Sequence, residues 1–178
     1  MAAIRGLPVL PVEQVWIQLA AILTLDDLIV AGDFLTRRKS PLSSLAKLGE
    51  AVANAGTFPG VSRARSALVE IRPGTDSPME SKLRLLIVRA GLPEPVIGHT
   101  VYFEGAFIGT PDLAYIRERI ALDYDGKVHR ATERAYLDDV ERRNLFADAH
   151  WRYITVTKDN IRVPRSLLAR LERLLADR

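Results

Sequence analysis

The sequence predicts a mixed α/β fold, a sheet flanked by helices in the order α-β-β-β-α-β-α, preceded by a small helical region. Three observations predict it. Residues 11 to about 70 read as several short helices. Arg72-Pro73-Gly74 then punctuates the chain. Beyond it, helical apolar stripes alternate with short runs of strand character, as a helix-flanked sheet requires. The boundary divides residues 1–72 from residues 73–178, and no internal repeat or low-complexity segment is present.

In the first region Leu19, Ile22, Leu23, Leu28 and Ile29 keep helical spacing. Ser40-Pro41 reads as a cap with proline at the first helical position. Gly56 and Pro59-Gly60 mark the next break, and a helix carrying Ala64, Leu68 and Ile71 follows. In the second region Ser77-Pro78-Met79-Glu80 is a helix start, with Ser77 as cap and Glu80 completing a capping box. Met79, Leu83, Leu86, Ile87 and Ala90 form its apolar stripe, ended by Gly91 and Pro93. Strands are predicted at about 96–103, 107–115 and 118–125, the first two joined by a hairpin at Glu104-Gly105. A helix from about Thr132 to Ala149, the strand Tyr153–Thr157 and a helix from Pro164 to Ala176 complete the order. The last helix carries Leu167, Leu168, Leu171 and Leu175 on one side.

Composition narrows the chemistry. Of 178 residues, 48% are hydrophobic and 26% charged, ordinary for a globular chain with an adequate core. There is no cysteine, which excludes disulfides, thiolate zinc sites and cysteine nucleophiles. The three histidines, His99, His129 and His150, are scattered and argue against a zinc site built on imidazoles. The apolar stretch Val15 to Leu25 is too short to span a bilayer, and no cleavage site follows it. No membrane association and a cytoplasmic location are expected. Net charge is +3, but from Trp151 onward seven Arg and Lys face three acids, while Asp112 to Glu141 is rich in carboxylates. A basic flank beside an acidic cluster suits a metal site that attracts a polyanion; a solvated face of mixed charge would look the same.

The cluster itself is Thr110-Pro111-Asp112, then Asp123-Tyr124-Asp125-Gly126, then His129. Acidic side chains are disfavoured inside strands, so several together need a reason. A divalent cation such as magnesium (Mg2+), with manganese as a substitute, supplies one. Held by a few carboxylates with open positions, it generates a nucleophilic hydroxide and offsets charge on a phosphoryl transition state. Asp112 and Asp123 meet at one point if their strands are neighbours, and Asp123 and Asp125 share a strand face.

In these residues the chain resembles the PD-(D/E)XK nuclease superfamily, in particular the branch similar to very-short-patch-repair endonucleases. The matching residues run in order through Glu80, Pro111-Asp112, Asp123-Tyr124-Asp125-Gly126-Lys127-Val128-His129 and Asp139-Val140-Glu141-Arg142, within residues 77 to 178. The resemblance implies a restriction-endonuclease-like fold and a Mg2+-dependent DNA endonuclease, of the kind used in DNA repair. It implies that Asp112 and Asp123 ligate the metal and that Glu80 orients a water. It further implies that His129 moves a proton or polarises the phosphate, and that Asp125 stands where the superfamily has its lysine. Lys127, Arg142 and Arg143 are the expected phosphate contacts. Thr155 stands where relatives commonly carry an arginine.

Bland readings accompany several of these residues. The capping box explains Glu80, with Arg84 at i+4. Asp125-Gly126 is a common turn dipeptide, and His129 suits a helix cap. The pairs Asp138/Arg142 and Asp139/Arg143 fit a solvated helix face, and Trp151 and Tyr153 fit a core. Two rival functions follow: a non-catalytic DNA-binding or antitoxin-like regulatory protein keeping the fold, and an interaction module that forms a homodimer through its N-terminal helices.

Overall fold

Side-chain caps divide what helical spacing presents as one run near the start of the chain. Thr24 accepts a hydrogen bond from the Asp27 N–H at 3.2 Å, and Asp26 and Asp27 lie in the first turn, where the helix dipole favours them. The run through Leu19 to Ile29 is therefore two helices with a turn between them, and Ile22 in that turn is 78% exposed. The computed structural model describes residues 2–4, 7–126 and 133–176. Its chain divides into two units, Met1–Lys82 and Leu83–Arg178.

The N-terminal unit opens with an antiparallel strand pair, β1 (Ala2–Ile4) and β2 (Leu7–Val9), which the helical reading from residue 11 did not include. Four helices follow: α1 (Val12–Leu19), α2 (Leu25–Leu35), α3 (Leu45–Asn54) and α4 (Val61–Glu70). The expected cap at Ser40 is not there. Ser40 adopts a left-handed φ of 52°, and the Leu42 and Ser43 N–H groups fold back onto the Leu35 carbonyl at 2.9 Å. The cap is Ser44, which accepts from the Lys47 N–H at 3.3 Å. The core gathers Trp16, Leu28, Ile29, Leu48 and Ala64, and the buried Trp16 indole donates to the Leu28 carbonyl at 2.9 Å. Gly32 lets α2 approach its neighbours closely: a Cβ there would fall 2.3 Å from Ile71 Cδ1.

Helix α5 (Pro78–Arg89) begins as expected, with Ser77 Oγ accepting from the Glu80 N–H at 3.3 Å. The first two predicted strands are each broken in two. β3 (Val96–Ile97) and β4 (Val101–Phe103) come from the first, β5 (Ala106–Gly109) and β6 (Leu113–Tyr115) from the second. β4 and β5 form their own hairpin, with Phe103 opposite Ala106. Glu104 and Gly105 both have positive φ, the turn geometry that matches strand twist. β7 (Ile120–Asp125), α6 (Glu133–Asp148), β8 (Arg152–Thr157), the short α7 (Lys158–Arg162) and α8 (Arg165–Ala176) complete the chain. α7 was not anticipated; its start is a capping box between Thr157 and Asn160.

The main sheet has the order β3-β6-β7-β8. β3, β6 and β7 pair antiparallel, whereas β7 and β8 are parallel and need a crossover, which α6 supplies. Strand alternation sorts the side chains into two layers. Ile120, Leu122, Ile154 and Val156 pack with Leu83 and Ile87 of α5 and Leu167 and Leu171 of α8. Ala121 packs with Phe146, Ala149, Trp151 and Tyr153 and with Val101 and Ile108 of the hairpin. The fold is thus mixed α/β, a mixed sheet with helices packed against it. Among the described residues no helix is long and apolar enough to cross a membrane.

Candidate functional site

The antiparallel register pairs Leu113 with Leu122, so Asp112 stands beside Asp123 one step along. Each acid then binds the other's strand. The Asp112 N–H donates to Asp123 Oδ1 at 2.8 Å, and the Tyr124 N–H donates to Asp112 Oδ2 at 2.7 Å. Pro111 ahead of Asp112 cannot donate to a ladder, so this exchange takes over where regular pairing of β6 stops. The two acids are thereby tied to each other's backbone across the β6–β7 pair, near the end of β7.

The other face of Asp123 meets α6 and β8. Arg142 Nε lies 2.9 Å and Nη2 2.7 Å from Asp123 Oδ2. Tyr153 donates its hydroxyl to the same oxygen and accepts from Arg142 Nε at 3.1 Å. Arg142 Nη2 also donates to the Thr110 carbonyl at 3.2 Å, and the guanidinium lies over the Phe146 ring, 5.4 Å from its centroid. Gly109 makes this fit: a Cβ there would sit 3.0 Å from Arg142 Nη1 and 3.2 Å from Phe146. Burial pulls the Arg142 pKa down, but the Asp123 charge and the bonds to Tyr153 and Asp123 outweigh it, and the net direction is up. Burial, followed by the Asp123 charge, pushes the Tyr153 hydroxyl well above its ordinary range.

Of the expected site residues, Asp112 and Asp123 are brought together. Asp125 ends β7 on the Asp123 face, half-buried, opposite Thr157 of β8. Arg142, expected on phosphate, engages Asp123. Arg143 is half-exposed, pairs with Asp139 at 2.9 Å and donates to Thr155 Oγ1 at 3.3 Å. A guanidinium from α6 therefore reaches the strand position where an arginine was looked for. Glu80 is buried in the N-terminal unit, where its carboxylate accepts from the Asp76 N–H at 2.7 Å, one residue before the expected capping partner. Buried Arg84 pairs with Glu94 at 2.7 Å. Lys127 and His129 lie outside the described residues. His99 stacks on Trp151 and His150 meets Phe103 edge-on.

Tyr153 is the residue that sequence reasoning passed over. It does pack in the core, yet its hydroxyl is a partner of Asp123. A signal was available: strand alternation puts Tyr153 and Thr155 on one face of β8, opposite Ala121 and Asp123 of β7.

Carboxylate oxygens are the donors a hard divalent cation prefers, so Asp112 and Asp123 fit magnesium or manganese by chemistry. Among the described residues, no group of three or more His, Cys, Asp or Glu side chains gathers around a point. The positive charge that faces Asp123 in this arrangement is Arg142.

The chain is similar to two uncharacterized proteins of Mycobacterium tuberculosis, from strains CDC 1551 / Oshkosh and H37Rv, at 28% identity in each case. Each match covers 131 residues, 73% of this chain and 48% of the relative. The chain thus spans about half the length of the curated relatives it matches. No family model matches the chain, and no solved structure matches it.

Proposed function

We propose that the C-terminal unit is a metal-dependent endonuclease domain that hydrolyses phosphodiester bonds in DNA, with a restriction-endonuclease-like arrangement of its sheet. The observation that carries this reading is the reciprocal exchange between Asp112 and Asp123, which sets two carboxylates side by side at the end of a central strand. Asp112 and Asp123 would hold a magnesium ion there. When bound, the ion would supply a nucleophilic hydroxide and compensate developing charge. Arg143, at the exposed face of α6, and the basic residues after Trp151 offer phosphate contacts that position without reading sequence. His129 is the candidate for proton transfer, on the strength of its place in the motif alone.

A plasmid-nicking assay tests the reading. Intact chain with Mg2+ is expected to nick supercoiled DNA, and Asp112→Ala to abolish it. Titration with Mn2+ that shows no binding, or binding unchanged in Asp112→Ala, overturns the proposal. A second reading, a DNA-binding or regulatory protein that keeps the fold without turnover, is favoured by the neutralisation of Asp123 by Arg142 and Tyr153. Its signature is DNA retention that is independent of Mg2+ and leaves the plasmid intact.

A further inference from the structure

One oxygen of the Asp123 carboxylate, Oδ2, is already full. An ionised carboxylate offers about four lone-pair sites, two on each oxygen; Oδ1 takes the Asp112 N–H, while Oδ2 takes Arg142 Nε and the Tyr153 hydroxyl, with Arg142 Nη2 in ion-pair contact at 2.7 Å. A cation cannot ligate Oδ2 without displacing one of these donors. The Oδ1 partner is main chain, fixed where β6 meets β7. The Oδ2 partners are side chains, and the heaviest is Arg142, whose positive charge a cation would replace.

We propose that Arg142 is a displaceable counter-ion. It latches Asp123 in the metal-free protein and is released when a divalent cation takes Asp123 Oδ2, becoming available to a phosphate of the nucleic acid. This rests on the metal-centre reading above and adds its regulation. Arg142 has what such a latch needs. Its guanidinium keeps the Thr110 carbonyl at 3.2 Å and the Phe146 ring face at 5.4 Å, neither of which involves Asp123. It is also one-third exposed, so a phosphate can reach it. Coupling is reciprocal. If a cation loosens Arg142 from Asp123, a phosphate that draws Arg142 away must tighten cation binding, and metal loading is completed by the substrate.

Mn2+ titration of the intact chain separates the outcomes. Arg142→Gln is expected to bind Mn2+ about tenfold more tightly than wild type, with Asp112→Ala abolishing binding in both backgrounds. Tyr153→Phe keeps the ring and removes one donor; it should tighten binding in the same direction by less. Adding excess duplex DNA should tighten Mn2+ binding to wild type and leave Arg142→Gln unchanged. Equal or weaker affinity in Arg142→Gln, with Asp112 still required, overturns the latch and spares the metal centre. Binding that does not depend on Asp112 overturns both. Should Arg142→Gln not fold, the wild-type protein decides. Mg2+ is expected to shift the Arg142 Nε–H signal in nitrogen-15 spectra and speed its exchange with water, and an unmoved signal at saturating metal overturns the latch.

Discussion

Asp33 in the N-terminal unit and Asp123 in the C-terminal unit are both acids held inside the protein, and they differ in what can reach them. Asp33 is fully buried in α2, and its carboxylate accepts the main-chain N–H of Arg72 at 2.7 Å, just past the end of α4. That bond ties the segment after α4 back to α2, sealed from solvent. Asp123 also accepts a main-chain N–H and holds a guanidinium and a phenol on its second oxygen, but it is 16% exposed, on the face of a strand that ends at Asp125. Strand pairing does not require those extra partners. The difference separates an acid closed off from solvent from one that stays partly exposed beside a guanidinium, where a ligand can compete for it.

The most severe way to break this comparison is Asp123→Ala. It leaves a half-buried Arg142 without the Asp123 counter-charge and removes the acceptor of the Tyr153 hydroxyl, and truncating one side of such a pair costs about 3 kcal/mol. Urea unfolding followed by circular dichroism is expected to show that loss, and Asp123→Asn, which keeps an acceptor, a smaller one. A loss near the ~0.5 kcal/mol of ordinary surface substitutions would mean the cluster is solvated and the contrast with Asp33 empty.

Gly32→Ala probes the other unit, with an expected effect of about 2 kcal/mol from overpacking. The new methyl would meet Ile71 Cδ1 at 2.3 Å and Trp16 Nε1 at 3.3 Å, and Ile71 is itself buried. Ile71→Val removes the offending Cδ1, so the double variant should recover part of the loss in the same denaturation experiment. Recovery sharpens the comparison, since the N-terminal unit then depends on close packing where the C-terminal unit depends on a charge cluster.

Periodicity made most of the element order legible: the apolar stripes Leu83/Ile87 and Leu167/Leu171 and the run Ile120–Leu122 all face the core as read. Breaks decided by backbone geometry were not legible. Ser40 at positive φ and the Thr24 and Ser44 caps depend on where the chain turns back, and a serine before proline looks like a cap in either case. The strand breaks at Gly98–Thr100 and Thr110–Asp112 likewise follow from which ladder each half joins. At the site, the meeting of Asp112 and Asp123 was legible only on the condition that their strands are neighbours, and β6 and β7 do pair. The Arg142 latch was not, because it joins three elements far apart in sequence. An arginine beside Asp138 and Asp139 on a helix reads first as one of an i,i+4 pair, an expectation that Arg143 and Asp139 meet.

The smallest expected effect concerns Asp76, about as covered as Asp123 but paired with exposed side chains. Its carboxylate accepts from Arg38 and from the Lys39 N–H at 3.2 Å, and Lys39 Nζ lies 3.7 Å away. Burial alone would raise its pKa, yet the Arg38 hydrogen bond, the Lys39 N–H and the two positive charges outweigh it, and the group sits below its ordinary value of 3.8. A depressed folded-state pKa means the folded form holds fewer protons than the unfolded chain in that range. The resulting stability is present above the ordinary value and disappears as pH falls through the folded one. Asp76→Asn should therefore lower Tm at neutral pH by an amount on the order of 1 °C, as a mostly solvent-screened pair allows. The gap between wild type and variant should hold down to about pH 5 and close as pH drops below the ordinary carboxylate range. A gap that persists unchanged into strong acid would mean the Asp76 charge contributes nothing and only its shape matters. Asp76 would then be a hydrogen-bonding part of the architecture, and charge as a working element would belong to the Asp123 cluster.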